Sequence, residues 1–479
     1  MTATEPGAVA ATTADAASPP SGARHPGLVW TFVITSLAGF MAGLDNLVVV
    51  TALPAISKDL GAHLGALEWT VNGYTLPFAT LLLIGATAGE RFGRRRVFTL
   101  GLAIFTLASA GAALAGGSGT LIAARAVQGA GAALLMPLSL TILTAAAPAN
   151  RRGLVFGGWG AVNGLSIAVG PLVGGALVDH ASWHWIFWLN VPIGLVLVPL
   201  ARLRLAEGRG PARRLDLPGV ALAGAGLFGL VFGIVRADSH GWTSAGVLGP
   251  LIGGGVLVIA FLLWERRAPH PMLPLRLFRD RTFTFANAAT LLMMFGMFGA
   301  VFWLTQYLQN IQGFSPQEAG VRMLPWTAVP MVVAPVAGVL ADRIGGRPVI
   351  ALGLLTQAVA LGWLAQLASP TAGYGPEVIP LILGGIGNAL FFAPMAGVVM
   401  GTVPEADQGM ASGTNNMLRE LGGALGVAVL SSVFAAHGAL TSPSRFVDGL
   451  TPTVWTGAAV AALAAATMLL ARPRPRAGA

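Results

Sequence analysis

The sequence predicts an all-α membrane protein: fourteen transmembrane helices in two pseudo-symmetric six-helix bundles, with two extra helices inserted between them. Three observations carry this reading. Of 479 residues, 55% are hydrophobic and only 10% charged, with a mean hydropathy of +0.73, whereas soluble domains carry about 25% charge. The apolar residues fall in runs of the ~20 residues that cross a hydrocarbon core. Segments of the two halves also match each other at a constant offset. The 65 glycines and 31 prolines lie within these runs, where neighbouring helices re-satisfy the backbone, so they do not signal disorder.

The elements follow in order. Residues 1–27, rich in Ala, Thr, Pro and Gly, read as a disordered cytoplasmic tail rather than a cleaved signal, since they lack a basic start. Spans 1–6 are expected at 28–54, 69–89, 97–115, 120–147, 154–178 and 185–201, forming the first bundle (28–201). The stretch 202–282 reads as cytoplasmic linkers around the inserted spans 7 (217–235) and 8 (246–264). Spans 9–14 are expected at 283–308, 320–341, 348–368, 378–400, 410–436 and 453–471, forming the second bundle (283–471). A basic tail, 472–479, closes the chain.

Charge sets the orientation. With the N-terminus cytoplasmic, 22 of the 28 Lys and Arg fall on the cytoplasmic side, and only Lys58, Arg236, Arg322 and Arg445 on the other. Arg125 and Arg419 lie inside spans. This is the positive-inside pattern, which places both termini in the cytoplasm; Lys58 as the single lysine among 28 basic residues, with abundant Ala and Gly, suggests a bacterial cell of high GC content. The net charge of +9 is therefore topogenic, and no nucleic-acid partner is expected.

The repeat is visible in the motifs. Glu90-Arg91-Phe92-Gly93-Arg94-Arg95 after span 2 matches Asp342-Arg343-Ile344-Gly345-Gly346-Arg347 after span 10. At the same offset Asn163, Gly170 and Gly174 of span 5 meet Asn415, Gly422 and Gly426 of span 13. Two homologous halves that rock about a central site constitute an alternating-access design.

These residues resemble the major facilitator superfamily, specifically its fourteen-span drug:proton antiporter branch, from about Leu28 to Ala471. Gly43-Leu44-Asp45 with Ala52-Leu53-Pro54 resembles the family's span-1 signature, and Gly85 through Arg96 its loop 2–3 motif. Arg125-Ala126-Val127-Gln128-Gly129 resembles the span-4 motif, and Trp183 to Pro192 the entry to span 6. Gly170-Pro171-Leu172-Val173-Gly174-Gly175 resembles the antiporter motif. Glu90 stands where aspartate is usual, Leu47 and Val50 where threonine and asparagine are, and His184 where arginine is common. The resemblance implies efflux of hydrophobic or cationic drugs and antibiotics in exchange for protons.

Asp45 is the one charge in span 1, and an ionisable group at membrane depth costs about 2.5–3.5 kcal/mol on insertion scales, so it needs a partner or a purpose. At about 1.5 Å per residue, Asp45 and Arg125 lie about 13 Å and 9 Å from their outer ends and share a depth layer. Asp45 is the expected proton carrier: motion that changes its separation from Arg125, or its hydration, would switch its affinity for the proton. A purely structural role, gluing span 1 to span 4, is the competing reading. Arg419 and Glu420 form a second intramembrane cluster. Consecutive helical residues point about 100° apart, so pairing with each other is not expected; Glu420 is either a second proton or cation site or a neutral group at the cytoplasmic mouth.

The loop 2–3 motif (Gly85, Glu90, Arg91, Gly93, Arg94, Arg95) and its counterpart Asp342-Arg343 fix topology and are expected to gate, with Glu90 accepting from arginines or helix ends of the other half. Gly170, Pro171, Gly174 and Gly175 allow close helix approach and a kink. For substrate contacts, Met293, Met297, Phe298, Gln306, Asn388 and Phe391 offer an adaptable apolar lining with two amides, although most such side chains in membrane helices simply pack.

Other classes fit less well. A membrane enzyme would need clustered nucleophiles or metal ligands, but the seven histidines are scattered without ligand spacing and there is no cysteine, so no metal, cofactor or thiol site is expected. Proton-coupled uptake of a small metabolite remains the alternative transport mode. The chain carries no Gly-x4-Gly-Lys-Ser/Thr loop for ATP. Its expected partners are a small-molecule substrate, protons and the lipid bilayer, acting as a monomer.

Overall fold

A computed structural model describes residues 26–148, 152–209, 216–269, 271–404 and 407–470. Of the expected tails at 1–27 and 472–479, only Pro26 and Gly27 fall within the described residues, where they open the first helix; the described residues contain helices and no strand. In chain order the helices are α1 (Pro26–Leu60), α2 (Leu64–Phe92), α3 (Arg94–Ala113), α4 (Ser118–Ala146), α5 (Arg152–His180), α6 (Trp185–Trp188), α7 (Asn190–Arg204), α8 (Leu217–His240) and α9 (Ala245–Glu265). There follow α10 (Arg281–Asn310), α11 (Pro316–Arg322), α12 (Leu324–Thr327), α13 (Val329–Ile344), α14 (Gly346–Leu367), α15 (Val378–Met400), α16 (Gln408–His437) and α17 (Pro443–Leu470). Thirteen are long and apolar enough to cross a bilayer, some only when successive segments are joined, and α2, bent by 50° near residue 83, makes fourteen.

Local chemistry sets the helix ends. Asp280 caps α10 by accepting from the backbone N–H groups of Thr282 and Phe283 at 2.8 and 3.1 Å, and Asp216 caps α8 through Gly219 at 2.9 Å. Such caps satisfy donors that the first helical turn leaves free. The expected span 6 is broken at Leu189 into α6 and α7, and span 10 into α11, α12 and α13. Pro325 and Pro330 sit in the first turns of α12 and α13, where a missing N–H is tolerated but the preceding helix cannot continue.

The repeated motif repeats in backbone geometry too. Gly93 joins α2 to α3 at φ 107°, and Gly345 joins α13 to α14 at φ 91°. Each donates its N–H four residues back, Gly93 to Gly89 and Gly345 to Ala341. Positive φ is what a side chain would resist, so glycine at both places sets the turn.

Packing groups the helices by neighbour: α1 against α4 and α5, α2 and α3 against α4, α10 against α16 and α17, and α14 against α15 and α17. Helices α8 and α9 pack chiefly on each other and touch α2 and α16 through α8. One apolar cluster crosses the molecule at the end away from the Gly93 and Gly345 turns. It joins Val48, Leu53 and Ile56 of α1 to Phe302, Trp303 and Leu308 of α10, and to Ala319 and Trp326 of α11–α12. Separate clusters fill the remainder, one around Phe98, Phe105 and Leu138, another around Phe283, Ile350 and Phe391.

Candidate functional site

Asp45, near the middle of α1, is buried and bonds to residues of two other helices, α4 and α7. Its Oδ2 accepts from the Arg125 guanidinium of α4, an ion pair with both partners buried. Its Oδ1 accepts from Gln128 Nε2 and from Asn190 Nδ2, both at 2.8 Å. Behind these amides, Ser109 Oγ of α3 accepts from Gln128 Nε2 at 2.7 Å and from Asn190 Nδ2 at 3.3 Å. Arg125 also donates to Gln128 Oε1 at 2.7 Å and to the Thr70 carbonyl at 3.2 Å. Its guanidinium carbon lies 4.3 Å from the Tyr74 ring centroid. The equal depth expected for Asp45 and Arg125 is thus realised as contact.

Gln128 and Asn190 fall within the span-4 and span-6 motifs, which by themselves do not assign them to the site. Gln128 lies one helical turn beyond Arg125 and shares its face. Asn190 is an amide at the first position of a broken helix. A buried charge pair needs its remaining hydrogen-bonding capacity met: the two amides meet that of the Asp45 carboxylate, while Arg125 NH2 is buried without a hydrogen-bond partner. Such a constellation can hold a carboxylate by donation. It can also hold a carboxylic acid, because an amide turned by 180° presents an acceptor instead of a donor.

In α16 the structure corrects the sequence expectation. Arg419 does pair with its neighbour Glu420, at 3.2 Å. The 100° between adjacent side chains is spanned because the long arginine stem folds back along the helix, bringing the guanidinium fork onto the buried Glu420 carboxylate. One turn earlier, Asn415 Nδ2 donates to Asn287 Oδ1 at 3.1 Å and to Thr290 Oγ1 at 2.9 Å, tying α16 to α10.

The loop 2–3 motif finds its partners locally. Glu90 accepts from Arg94 Nε and NH2, both at 2.9 Å, an i,i+4 pair rather than a contact with the second half. Glu207, beyond α7, is the acid that sequence reasoning missed. Its Oε1 accepts from the Arg95 backbone N–H at 3.1 Å, and its Oε2 lies 3.6 Å from both Arg95 Nε and Arg96 Nε. Arg91, Asp342 and Arg343 are exposed. Gly85 is a packing position, since a Cβ there would overlap the Ala133 carbonyl of α4.

The glycines of α5 work at two crossings. A Cβ on Gly170 would come 2.9 Å from Leu47, and one on Gly174 3.0 Å from Val48, so these two admit α1. Gly175 instead faces Pro316 of α11, and Gly320 faces the Pro171 carbonyl, each too close for a side chain. A polar clasp completes this second crossing: Asp179 accepts from Ser315 Oγ at 2.6 Å and from the Gln317 N–H at 2.9 Å. His180 lies 2.8 Å from Gln317, and Gln309 Nε2 donates to the Thr51 carbonyl at 2.9 Å.

The residues considered for substrate contact divide. Met293 and Phe391 are fully buried in one packing cluster, whereas Met297 and Phe298 are half-buried and border two clusters. Gln306 Nε2 and Asn388 Oδ1 are buried atoms without a protein hydrogen-bond partner. Among the described residues no group of His, Asp and Glu is arranged to hold a metal ion.

Comparison with known proteins agrees with this architecture. The family model described as Major Facilitator Superfamily matches residues 35–427 and, a second time, 288–479. A tetracenomycin C resistance and export protein of Streptomyces glaucescens is 33% identical over 440 residues, covering 91% of this chain and 81% of that protein. The cephamycin export protein CmcT of Amycolatopsis lactamdurans is 38% identical over 458 residues, covering 92% and 93%. Among solved structures, a POT family transporter in complex with a thioalcohol conjugated peptide has a TM-score of 0.70 at 16% identity, covering 93% of this chain and 95% of that one. A D-xylose-proton symporter has a TM-score of 0.65 at 16% identity, covering 93% and 98%. At such identities the structures speak for the fold alone. Matched along most of its length by the family model and by full-length export proteins, the chain belongs to the major facilitator superfamily and is a membrane transporter.

Proposed function

We propose that this transporter exports hydrophobic or cationic antibiotic-like compounds from a bacterial cell in exchange for protons, with Asp45 as the proton carrier. Two pseudo-symmetric bundles, α1–α7 and α10–α17, alternate access to a central site, with α8 and α9 inserted between them and both termini in the cytoplasm. The matching glycine turns at Gly93 and Gly345, and the matching α1–α5 and α10–α16 crossings, support the two-fold plan.

The observation that carries the proton role is the Asp45 constellation: a buried carboxylate with an arginine on one oxygen and two amides on the other. Protonation removes the charge that holds Arg125, leaving a buried cation without its counter-ion, a state costly enough to drive rearrangement. The new O–H finds an acceptor when the Asn190 amide turns, while Gln128 keeps its Oε1 on Arg125. Loading from the acidic side then accompanies release of substrate outward, and unloading accompanies its capture from the cytoplasm. One proton moving through 100 mV yields about 2.3 kcal/mol, enough for about 50-fold accumulation. Glu420, paired with Arg419 beside the α2–α16 contact, serves as a second cation-responsive group, and Met297, Phe298, Gln306 and Asn388 contact the substrate.

The test is flux in proteoliposomes under an imposed pH gradient of either sign. Export requires substrate to move against the proton direction. Movement in the same direction, or transport indifferent to the gradient, overturns the proposal.

A further inference from the structure

Away from the central site, a cavity of about 390 Å³ opens between α3 and α7 at the basic end of the molecule, lined by Arg95, Arg96, Thr99, Leu100, Ala103 and Arg202. Its upper part is cationic and its lower part apolar. Three arginines face it, and Glu207 lies against two of them, Arg95 and Arg96.

The arginines are not equivalent. Arg95 is committed, because its NH1 donates to the carbonyls of Arg202 and Leu205 at 3.2 and 3.3 Å. Arg96 has 67% of its side chain exposed and approaches Glu207 through Nε, at 3.6 Å. Arg202 is exposed as well. Two guanidinium forks therefore present free N–H donors at one rim, in the geometry that matches phosphate oxygens.

Below the rim the surface is built for hydrocarbon. Leu100 is 55% and Leu107 73% exposed. Being seven residues apart, they lie on one face of α3, with Ala103 leaving a shallow channel between them. In a chain that crosses the bilayer, this exposed face meets acyl chains. A soluble anion would use the arginines and leave the apolar floor uncovered.

We propose that this cavity binds an anionic phospholipid, with its phosphate on Arg96 and Arg202 and an acyl chain along Leu100, Ala103 and Leu107. Basic pockets between transmembrane helices on the cytoplasmic side suit such headgroups. The bound lipid fastens the start of α3 to the end of α7, the two elements that Glu207 also joins. Phosphate is the recognised chemistry, and the acyl chain makes the ligand a lipid.

The full-length protein is purified in detergent and titrated with phosphatidylglycerol or phosphatidylcholine, and retained lipid is read by native mass spectrometry. The parent retains phosphatidylglycerol in preference to phosphatidylcholine. The Arg96→Gln/Arg202→Gln protein loses about 30-fold in phosphatidylglycerol binding, given about a fivefold contribution from each arginine near the surface. Arg266→Gln/Arg267→Gln, at another basic loop, retains it. Should the double variant fail to give a monodisperse protein, Arg202→Ala alone is expected to lose about fivefold. Leu100→Gln weakens lipid without affecting inorganic phosphate. Equal retention of the two lipids, retention unchanged in the arginine variants, or complete displacement by millimolar inorganic phosphate overturns the assignment; the last result would mark a free-anion site. The outcome is independent of proton coupling, since no substrate or gradient is involved.

Discussion

Replacing Asp45 by asparagine separates the two roles that its constellation combines. In Asp45→Asn the carboxylate disappears while Arg125, fully buried, keeps its charge. Breaking a buried pair on one side costs about 3–5 kcal/mol, because the remaining charge is uncompensated. Part of this total comes from Gln128 and Asn190, whose 2.8 Å bonds then reach a neutral group; bonds to charged acceptors are worth about 1.5–3 kcal/mol against about 1 for neutral ones. The Asp45→Asn/Arg125→Gln double variant carries no buried charge and is expected to recover most of that stability. Transport follows a different rule. Neither variant can carry the proton, so accumulation of a neutral hydrophobic substrate, whose exchange for one proton moves one net charge, should fall from about 50-fold per 100 mV to parity, while downhill counterflow persists. Thermal unfolding in detergent reads stability, and proteoliposome flux reads coupling. Undiminished uphill transport by the folded double variant would refute Asp45 as carrier. A double variant no more stable than Asp45→Asn would refute the account of Arg125.

Three further outcomes follow from particular contacts. Gly93→Ala and Gly345→Ala each meet the strain of positive φ, about 1–2 kcal/mol, but only Gly93 has a side-chain atom, Glu207 Oε1, within 2.7 Å of the added methyl; thermal unfolding should show the Gly93 variant as the less stable. Gly175→Leu cannot keep the α5–α11 crossing closed, and overpacking of this kind costs about 1–3 kcal/mol. In a chain without cysteine, labelling of Thr51→Cys by an impermeant thiol reagent should then rise about tenfold or more; unchanged labelling would mean the crossing is not the outer seal. Glu420→Gln should lose export of cationic substrates while retaining that of neutral ones, measured as shifts in growth inhibition across a compound panel, and equal loss for both would count against a cation-sensing role.

Much of the fold is legible in the chain because the bilayer imposes it. A span must bury its own backbone hydrogen bonds over a fixed thickness, so run length alone places fourteen crossings, within a few residues at most ends. The larger departures have local causes. Span 14 begins at Pro443 rather than 453, since helix continues into polar residues that hydropathy excludes. Span 6 is interrupted at Leu189, three residues before Pro192, and span 10 at Pro325 and Pro330, which lack an N–H for the ladder.

Asp45, Arg125, Arg419 and Glu420 announce themselves as charges where charge is expensive, and the repeated Gly93 and Gly345 mark turns that only glycine adopts cheaply. These properties belong to single residues and their neighbours in sequence. The partners do not: that Asn190 and Ser109 complete the Asp45 site, that Arg419 folds back on Glu420, that Glu207 meets Arg95, and that Asp179 clasps the start of α11 all depend on how each helix is rotated about its axis. Hydropathy sums along the chain and carries no record of that rotation. It is set by the close approach of glycine-bearing faces, α1 on α5 and α5 on α11, and so only the packed structure decides which polar atoms meet.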